Sequence, residues 1–336
     1  MTGRRAALSA NAGALAPMAS TGFAKGLDSS IGAARGMQKA LVRLGYLAPE
    51  LGTGEFDWRS ERALMRFKRH ASRTYRMSAV TGRPADVPRA ACFTGVCDGR
   101  IDGPVLAEAS EWLHRGWSLP LGRFKLAPVA QTRRAPNWPR KALLREDVAR
   151  VWTTLADIVR KRGGTVDGPY GDTWRPVGFH GKDGVSMRSF HIAGRAVDLN
   201  QDLARAPNQR YFLEPEPAWG AMYFRIWCLT AKQDGSQGRY KPAGTFANWR
   251  FGNALTGNAS GWYLDLTSIL EVEGGFERIP AQQGWLSNYV RGEWWHYQYA
   301  FGKQETFLDE CELVGIGEDR LLRAGYSFWD MDGEPG

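Results

Sequence analysis

Apolar residues at helical spacing predict three short helices in the first part of the chain. In each of three segments they recur at intervals of three or four, the spacing of one helix face. The three faces are Met37, Leu41 and Leu44; Leu64, Phe67 and Ala71; and Val105, Ala109 and Leu113. Gly45 is suited to end the first helix, Asp57 to cap the second and Pro104 to begin the third. We therefore predict a helical domain over 31–116, preceded by a flexible Ala-, Gly- and Ser-rich arm over 1–30.

A second domain is predicted after a Pro-rich stretch. Prolines and the pair Arg133-Arg134 between 117 and 140 indicate an extended linker. The next segment opens with an amphipathic helix that ends at Gly163-Gly164, and after residue 190 the pattern changes to apolar and aromatic runs typical of strands. We expect an α+β domain over 141–310. The tail over 311–336 carries apolar residues without an assignable pattern.

Composition and charge limit the classes of function. The 336 residues carry a formal net charge of +9 at pH 7, which favours polyanionic partners, but no zinc finger, aromatic RNA-binding strand or dense basic stripe indicates nucleic-acid binding. The sequence has no apolar run long enough to predict a membrane span. The Ala-rich segment at the beginning of the sequence is interrupted by polar residues too often to form the apolar core of a signal peptide. The cysteines lack metal-binding spacing. Cys92 and Cys97 are either a local disulfide or plain thiols.

Two separated motifs carry the candidate chemistry. One is the stretch 189–199, which contains His191 and Asp198, and the other is the stretch 292–297, which contains Glu293 and His296. Two imidazoles and one carboxylate are ligands typical of hydrolytic zinc, which keeps a fourth position for water. Glu293 is suited to take a proton from that water. Because Glu293 and His296 would face opposite sides of a regular strand, we expect a turn or bulge to bring them together.

These motifs resemble those of the zinc peptidase family that includes D-alanyl-D-alanine carboxypeptidases and L-alanyl-D-glutamate endopeptidases. That family has S-x-H-x-x-G-x-A-x-D followed later by E-x-W-H. The matching residues are Ser189, His191, Gly194, Ala196 and Asp198 in the first motif, and Glu293, Trp295 and His296 in the second. The resemblance implies Zn2+ bound by His191, Asp198 and His296, with Glu293 as general base. It also implies a hedgehog/DD-peptidase-like fold, an antiparallel sheet with flanking helices.

The same resemblance implies two further site residues. The family has an arginine upstream of the first motif in a Y-R-like context, and Trp174-Arg175 stands in that place. Arg175 is then expected to hold a substrate carbonyl or carboxylate and to stabilise the oxyanion. Ser189 is expected to make a substrate-binding or supporting contact. The interval between Asp198 and Glu293 is long for the family, and we interpret 201–290 as the rest of the sheet with an insertion near the cleft.

The first domain resembles the peptidoglycan-binding module that accompanies many wall hydrolases. The matching pieces are Gln38 and Leu41, Leu44-Gly45-Tyr46, Gly54 with Phe56-Asp57, Ala63 to Phe67, and Asp98-Gly99 through Gly103. An extra segment near 70–97 interrupts the match, and Lys68 stands where the family often has Gln. The resemblance implies bacterial peptidoglycan as the partner of this domain.

Together these features predict a zinc-dependent endopeptidase that cleaves peptidoglycan stem peptides at the bacterial cell wall, as phage endolysins do. Without a signal peptide, such an enzyme would reach the wall by a separate route. Two alternatives stay open: a D-alanyl-D-alanine carboxypeptidase that trims the stem peptide, and a non-catalytic wall-binding component of a phage particle. Glu293 argues against the second, because a structural zinc site needs no base. A nucleic-acid-binding protein would rest on charge alone, and the sequence does not indicate an oligomeric state.

Overall fold

The computed structural model describes residues 30–129, 142–178, 186–205, 207, 209–244 and 260–335. The chain forms two compact units that divide between Arg123 and Phe124. Each unit combines helices with antiparallel sheets, so the α+β class is confirmed. The arm predicted over 1–30 lies outside the described residues apart from Ser30. None of the described helices is long and apolar enough to cross a membrane.

Three helices and a small sheet make up the first unit. The helices are α1 (Ser30–Leu44), α2 (Trp58–Ala71) and α3 (Gly103–Arg115), with 3-10 turns at Pro49–Leu51 and Arg89–Ala91. The strands are β1 (Tyr75–Ser78), β2 (Pro84–Asp86) and β3 (Trp117–Ser118), in the antiparallel order β2-β1-β3. The helices occupy the predicted segments. The sheet was not predicted, because its strands of two to four residues are too short to show alternation.

Polar side chains at the motif positions of the first unit connect its helices. The Gln38 side chain donates to the Glu55 carbonyl at 2.7 Å and to the Ser60 hydroxyl at 2.8 Å, and it accepts from the Gly54 N–H at 2.8 Å. It therefore joins α1 to the turn before α2. Asp57 caps α2 as predicted, because its side chain accepts from the N–H of Ser60 at 3.0 Å.

Lys68 fixes the Asp98 turn to α2. Its side chain is fully buried, and its Nζ donates to the Asp98 carboxylate and to the Arg100 carbonyl, both at 2.7 Å. The residue that departs from the module pattern is thus a structural link between two segments of this unit.

The second unit contains three separate antiparallel sheets among its described residues, where a single sheet was expected. These are β4-β5, β7-β8-β10-β9 and β11-β12-β6. The strands are β4 (Leu126–Pro128), β5 (Leu143–Arg145), β6 (Ala196–Asp198), β7 (Tyr211–Ala218), β8 (Ala221–Leu229), β9 (Arg239–Lys241), β10 (Gly261–Asp265), β11 (Phe276–Arg278) and β12 (His296–Tyr299). All four strands of the β7-β8-β10-β9 sheet lie within the predicted insertion over 201–290.

The helices of this unit include the predicted amphipathic helix. They are α4 (Glu146–Lys161), α5 (Leu266–Ser268), which continues as a π-helical turn Ile269–Glu273, α6 (Phe307–Leu313), α7 (Glu318–Arg323) and α8 (Phe328–Asp332), with 3-10 turns at Gln201–Ala204 and Tyr289–Gly292. One face of α4 shares a core with Val197 and Tyr297 of the β11-β12-β6 sheet, and Trp152 packs edge-on against Phe276 at 5.3 Å. This helix therefore supports the sheet that carries two of the candidate ligands.

The boundaries predicted at 117–140 and at 311 differ from the observed ones. The start of the predicted linker forms β3, which pairs with β1, and residues 126–128 form β4, which pairs with β5. Residues 130–140 lie outside the described residues. The boundary at 311 falls inside α6. The tail helices share a core with Ile192, and Phe307 stacks on Tyr326 at 5.7 Å, so the tail belongs to the second unit.

Three buried charged side chains join α6 to the first motif and to β5. Arg195, Glu310 and Arg145 are at most 2% exposed. The Glu310 carboxylate accepts from Arg195 and, at 2.9 Å, from Arg145. Arg195 also donates to the carbonyls of Phe301 and Gly302 at 2.8 and 3.1 Å. Burial lowers the pKa of Arg195, which its pairing with Glu310 partly offsets.

We predict that Glu310→Gln strongly destabilises the second unit, because it leaves two buried guanidinium groups without their shared counter-charge. The expected loss in the free energy of unfolding is about 3–5 kcal/mol, measured by denaturant titration. Glu277→Gln, on the exposed side of β11, is the matched control and should change stability by less than about 0.5 kcal/mol. Equal effects of the two substitutions would contradict the role assigned to the buried cluster.

Candidate metal centre

Pairing between β6 and β12 brings Asp198 and His296 together. His296 lies directly opposite Asp198 in the antiparallel register, a position in which side chains on the same face are neighbours. His191 reaches the same point through the turn before β6. Gly194 adopts the left-handed conformation with φ of 67°, and its N–H donates to the His191 carbonyl at 3.1 Å. The chain therefore turns sharply between the first two candidate ligands.

The three side chains form one compact cluster. Asp198 Oδ1 lies 2.9 Å from His296 Nδ1 and 3.2 Å from His191 Nε2, and the two imidazole nitrogens are 3.2 Å apart. All three residues are no more than 9% exposed. The cluster offers two nitrogen ligands and one carboxylate oxygen, so it could hold a metal ion.

The Thr173 carbonyl orients the first imidazole. It lies 2.5 Å from His191 Nδ1 and accepts a hydrogen bond from that nitrogen when Nδ1 is protonated, which directs Nε2 towards Asp198 and His296. The Thr173 hydroxyl in turn accepts from the Leu143 N–H of β5 at 3.2 Å. Sequence reasoning missed Thr173, because a backbone acceptor has no residue-type signature.

Electrostatics keep the carboxylate of the cluster ionised. Burial alone would raise the pKa of Asp198, but the charges and hydrogen bonds of His191 and His296 outweigh it and hold that pKa well below its usual range. Burial lowers the pKa of His296, which favours its neutral form. An ionised carboxylate and a neutral imidazole are the forms that bind cations.

Glu293 approaches the cluster through a tight turn. It follows the 3-10 turn Tyr289–Gly292 with φ of 50°, a conformation that is uncommon for a residue with a side chain. The His296 N–H donates to its carbonyl at 3.1 Å. The turn expected between Glu293 and His296 is thereby confirmed, and its strained backbone coincides with the candidate base, as strain at functional sites often does.

The surroundings of Glu293 raise the pKa of its carboxyl group. Burial, reinforced by the negative charge of Asp198, raises its pKa to about 7, while the charges of His191 and Arg175 oppose this rise. Gln282 Nε2 donates to its Oε1 at 2.7 Å and holds the carboxyl group in place. Gln282 was not predicted, since it comes from a loop that lacks any recognisable pattern.

Arg175 lies close enough to influence the charges of this site. Its backbone N–H donates to the His191 carbonyl at 3.1 Å, and its Nε donates to the Asp172 carboxylate. The Arg175 side chain is 12% exposed, and its charge acts on the pKa of Glu293, as it does on that of His296. Asp172, another residue that the sequence did not single out, thus fixes the predicted oxyanion-stabilising group.

Ser189 has a structural contact at the base of the turn. It is 5% exposed, and its hydroxyl accepts from the His191 N–H at 3.3 Å. This contact supports the first ligand. The substrate contact expected of Ser189 stays a prediction.

Comparison of the chain with protein-family models, with curated proteins and with solved structures found no match.

We predict that Gly194→Ala distorts the turn between His191 and Asp198. A Cβ atom at Gly194 would lie 2.8 Å from the Arg145 backbone nitrogen, a contact that requires the backbone to move. The left-handed backbone conformation is unfavourable for alanine, and the close contact adds to this cost. Together they should lower the free energy of unfolding by about 2–5 kcal/mol, measured by denaturant titration.

Gly302→Ala isolates the contribution of backbone strain. Gly302 has φ of 68°, and its Cβ would meet nothing within 4 Å, so only the left-handed cost of about 1–2 kcal/mol should appear. If both variants lose the same stability, the close approach of Gly194 to Arg145 is unimportant.

Proposed function

We propose that the chain is a zinc metallopeptidase that hydrolyses peptide bonds in peptidoglycan stem peptides, with endopeptidase action favoured over carboxypeptidase action. The observation that carries the proposal is the convergence of His191, Asp198 and His296 beside Glu293. The order and spacing of these residues resemble the motifs of the D-alanyl-D-alanine carboxypeptidase and L-alanyl-D-glutamate endopeptidase family. A hedgehog/DD-peptidase-like fold for the second unit belongs to the same proposal.

The donor set supports zinc as the metal. Two imidazole nitrogens and one carboxylate oxygen are usual zinc ligands, and three protein ligands are typical of catalytic sites. The separations of 2.9–3.2 Å between the donor atoms are close to the about 3.3 Å expected between ligands of a tetrahedral zinc with bonds of about 2.0 Å. His191, Asp198 and His296 would hold the ion without a large rearrangement.

The side chains around the cluster supply the remaining chemistry. Zinc held by His191, Asp198 and His296 would supply Lewis acidity and would lower the pKa of a water molecule at the site. Glu293, held by Gln282, accepts the proton of the attacking water and then delivers it to the leaving amine. Arg175, fixed by Asp172, places its positive charge where negative charge develops on the substrate carbonyl oxygen.

Digestion of purified peptidoglycan tests the reaction and its class. The new termini are identified by mass spectrometry. An endopeptidase cuts within the stem peptide and creates new amino termini, whereas a carboxypeptidase releases only the terminal D-alanine. A protein that binds wall and zinc but releases neither product is the outcome expected of a non-catalytic wall component.

We predict that Glu293→Gln retains zinc but loses activity by about a hundredfold or more, because the amide cannot accept a proton. Metal analysis should find about one zinc per chain in the wild type and in this variant. His296→Ala should lose the metal. Glu277→Gln on β11 is the matched control and should keep both zinc and activity. Full activity after thorough chelation, or near-normal turnover of Glu293→Gln, would overturn the assignment.

We also propose that the first unit binds the wall. Its three helices and their turns resemble the peptidoglycan-binding module, and it has a hydrophobic core of its own around Met37, Phe67 and Val105. A separate core surrounds the candidate metal centre in the second unit. A binding unit coupled to a catalytic unit raises the effective concentration of enzyme at an insoluble substrate.

We predict that a protein beginning at Phe124 cleaves small soluble stem peptides about as fast as the whole chain. On insoluble wall it should be about tenfold slower or more, because tethering is lost. Residues 30–123, which include β3, should sediment with purified sacculi. Measurements at low and high salt separate specific retention from simple charge attraction. A first unit that stays in the supernatant, together with unchanged wall lysis by the shortened protein, would exclude the binding role.

A further inference from the structure

A cavity of about 240 Å³ lies next to the segment that follows Asp198. Its wall includes Gly171, Asn200, Gln201 and Arg205, and is completed by Pro169, Tyr170 and Asp202. Among the described residues, neither the candidate metal ligands nor Glu293 contributes to this wall. The proposed mechanism therefore leaves this cavity without a role.

Gly171 connects the cavity to the candidate metal centre. Its N–H donates to the Asp198 carbonyl at 2.9 Å. A Cβ atom at Gly171 would lie 3.1 Å from Asp198 Cβ and 3.5 Å from Gln201 Nε2. Asn200 and Gln201 of the cavity wall also follow Asp198 by two and three residues in the chain, so the cavity lies close to this candidate ligand.

Arg205 brings a positive charge to this cavity, where it is paired only loosely with Asp202 and lies against Tyr289. Its guanidinium lies over the Tyr289 ring at 5.3 Å. The closest carboxylate among the described residues, that of Asp202, lies 3.7 Å away, which is too long for a hydrogen bond. Arg205 Nε has no hydrogen-bond partner in the described part of the chain. The guanidinium therefore lacks the two-point carboxylate pairing for which its geometry is suited.

Asn200 adds a neutral donor on the same wall. Its side-chain oxygen accepts from the Asp202 N–H at 3.0 Å. This hydrogen bond fixes the orientation of the Asn200 amide, so its NH2 group is left to act as a donor. Asp202 itself points largely to solvent, with its side chain 74% exposed. The cavity wall thus offers one positive charge from Arg205 and one amide donor from Asn200, and the Asp202 carboxylate adds a negative charge nearby. This balance suits a ligand with one negative charge, such as a carboxylate, better than a doubly charged phosphate.

We propose that this cavity binds a free carboxylate of the peptide substrate, and that Arg205 is the residue that determines this specificity. The inference rests on the proposed peptidase function and narrows its substrates to peptides that carry a carboxylate beside the scissile bond. In stem peptides the candidate group is the free carboxyl of the glutamate residue. The same peptide with that group amidated would lose the charge that Arg205 recognises.

Binding measured without turnover tests the inference directly. The probes are two synthetic stem peptides that differ only in whether the glutamate carboxyl is free or amidated, titrated calorimetrically into full-length Glu293→Gln protein. We expect the free acid to bind about tenfold more tightly, the difference produced by one charge-assisted pair. Adding Arg205→Gln should remove this preference, while Arg205→Lys should retain part of it. Adding Asp202→Asn should strengthen it, because a competing negative charge is removed.

Kinetics on the wild-type background complete the test. Arg205→Gln should raise KM for the free acid about tenfold and leave KM for the amidated peptide and both kcat values within about twofold. Equal binding of the two peptides, or a preference that survives Arg205→Gln, would overturn the inference. If the preference is observed and depends on Arg205 but wild-type protein cleaves neither peptide, the carboxylate site stands and the peptidase proposal fails.

Discussion

The pairing of buried charges between Arg195 and Glu310 is the constraint on which the second unit depends. A buried guanidinium is tolerated only with a counter-charge and acceptors for its donors. Arg195 obtains these from α6 and from backbone carbonyls that follow β12. Because Arg195 stands between His191 and Asp198 in the chain, this pairing also restricts the backbone that joins these two residues. The geometry of the candidate metal centre therefore depends on a charge pair that takes no part in its chemistry.

Other side chains of the candidate site are also held by hydrogen-bond partners. His191 is oriented by the Thr173 carbonyl, Arg175 by Asp172, and Glu293 by Gln282. These supporting groups come from the short segment before the first motif and from the loop before the second. The motif residues supply the reactive atoms, and the neighbouring segments restrict them to one arrangement, which is what preorganised catalysis requires.

Local patterns were sufficient for helices α1 to α4 and for the motif residues. Periodicity located α1 to α4, and the mismatch between strand geometry and the Glu293–His296 spacing correctly required a turn. The remaining features depend on contacts between distant positions. Arg145 and Glu310, for example, are 165 residues apart, and no local pattern relates them. The tail helices of five to seven residues are too short to show a hydrophobic period, so their packing against Ile192 could not be foreseen.

The long separation between these contacts has a consequence for the order in which the protein acquires structure during synthesis. The core of the first unit uses residues no later than 119, so it can form while the rest of the chain is still being made. The second unit has to wait for His296 and Glu310 before the strand pair closes and Arg195 gains its partner. Until then the nascent chain contains His191 and Asp198 without the surroundings that bring them together. The residues of the candidate metal centre can therefore come together only late in synthesis.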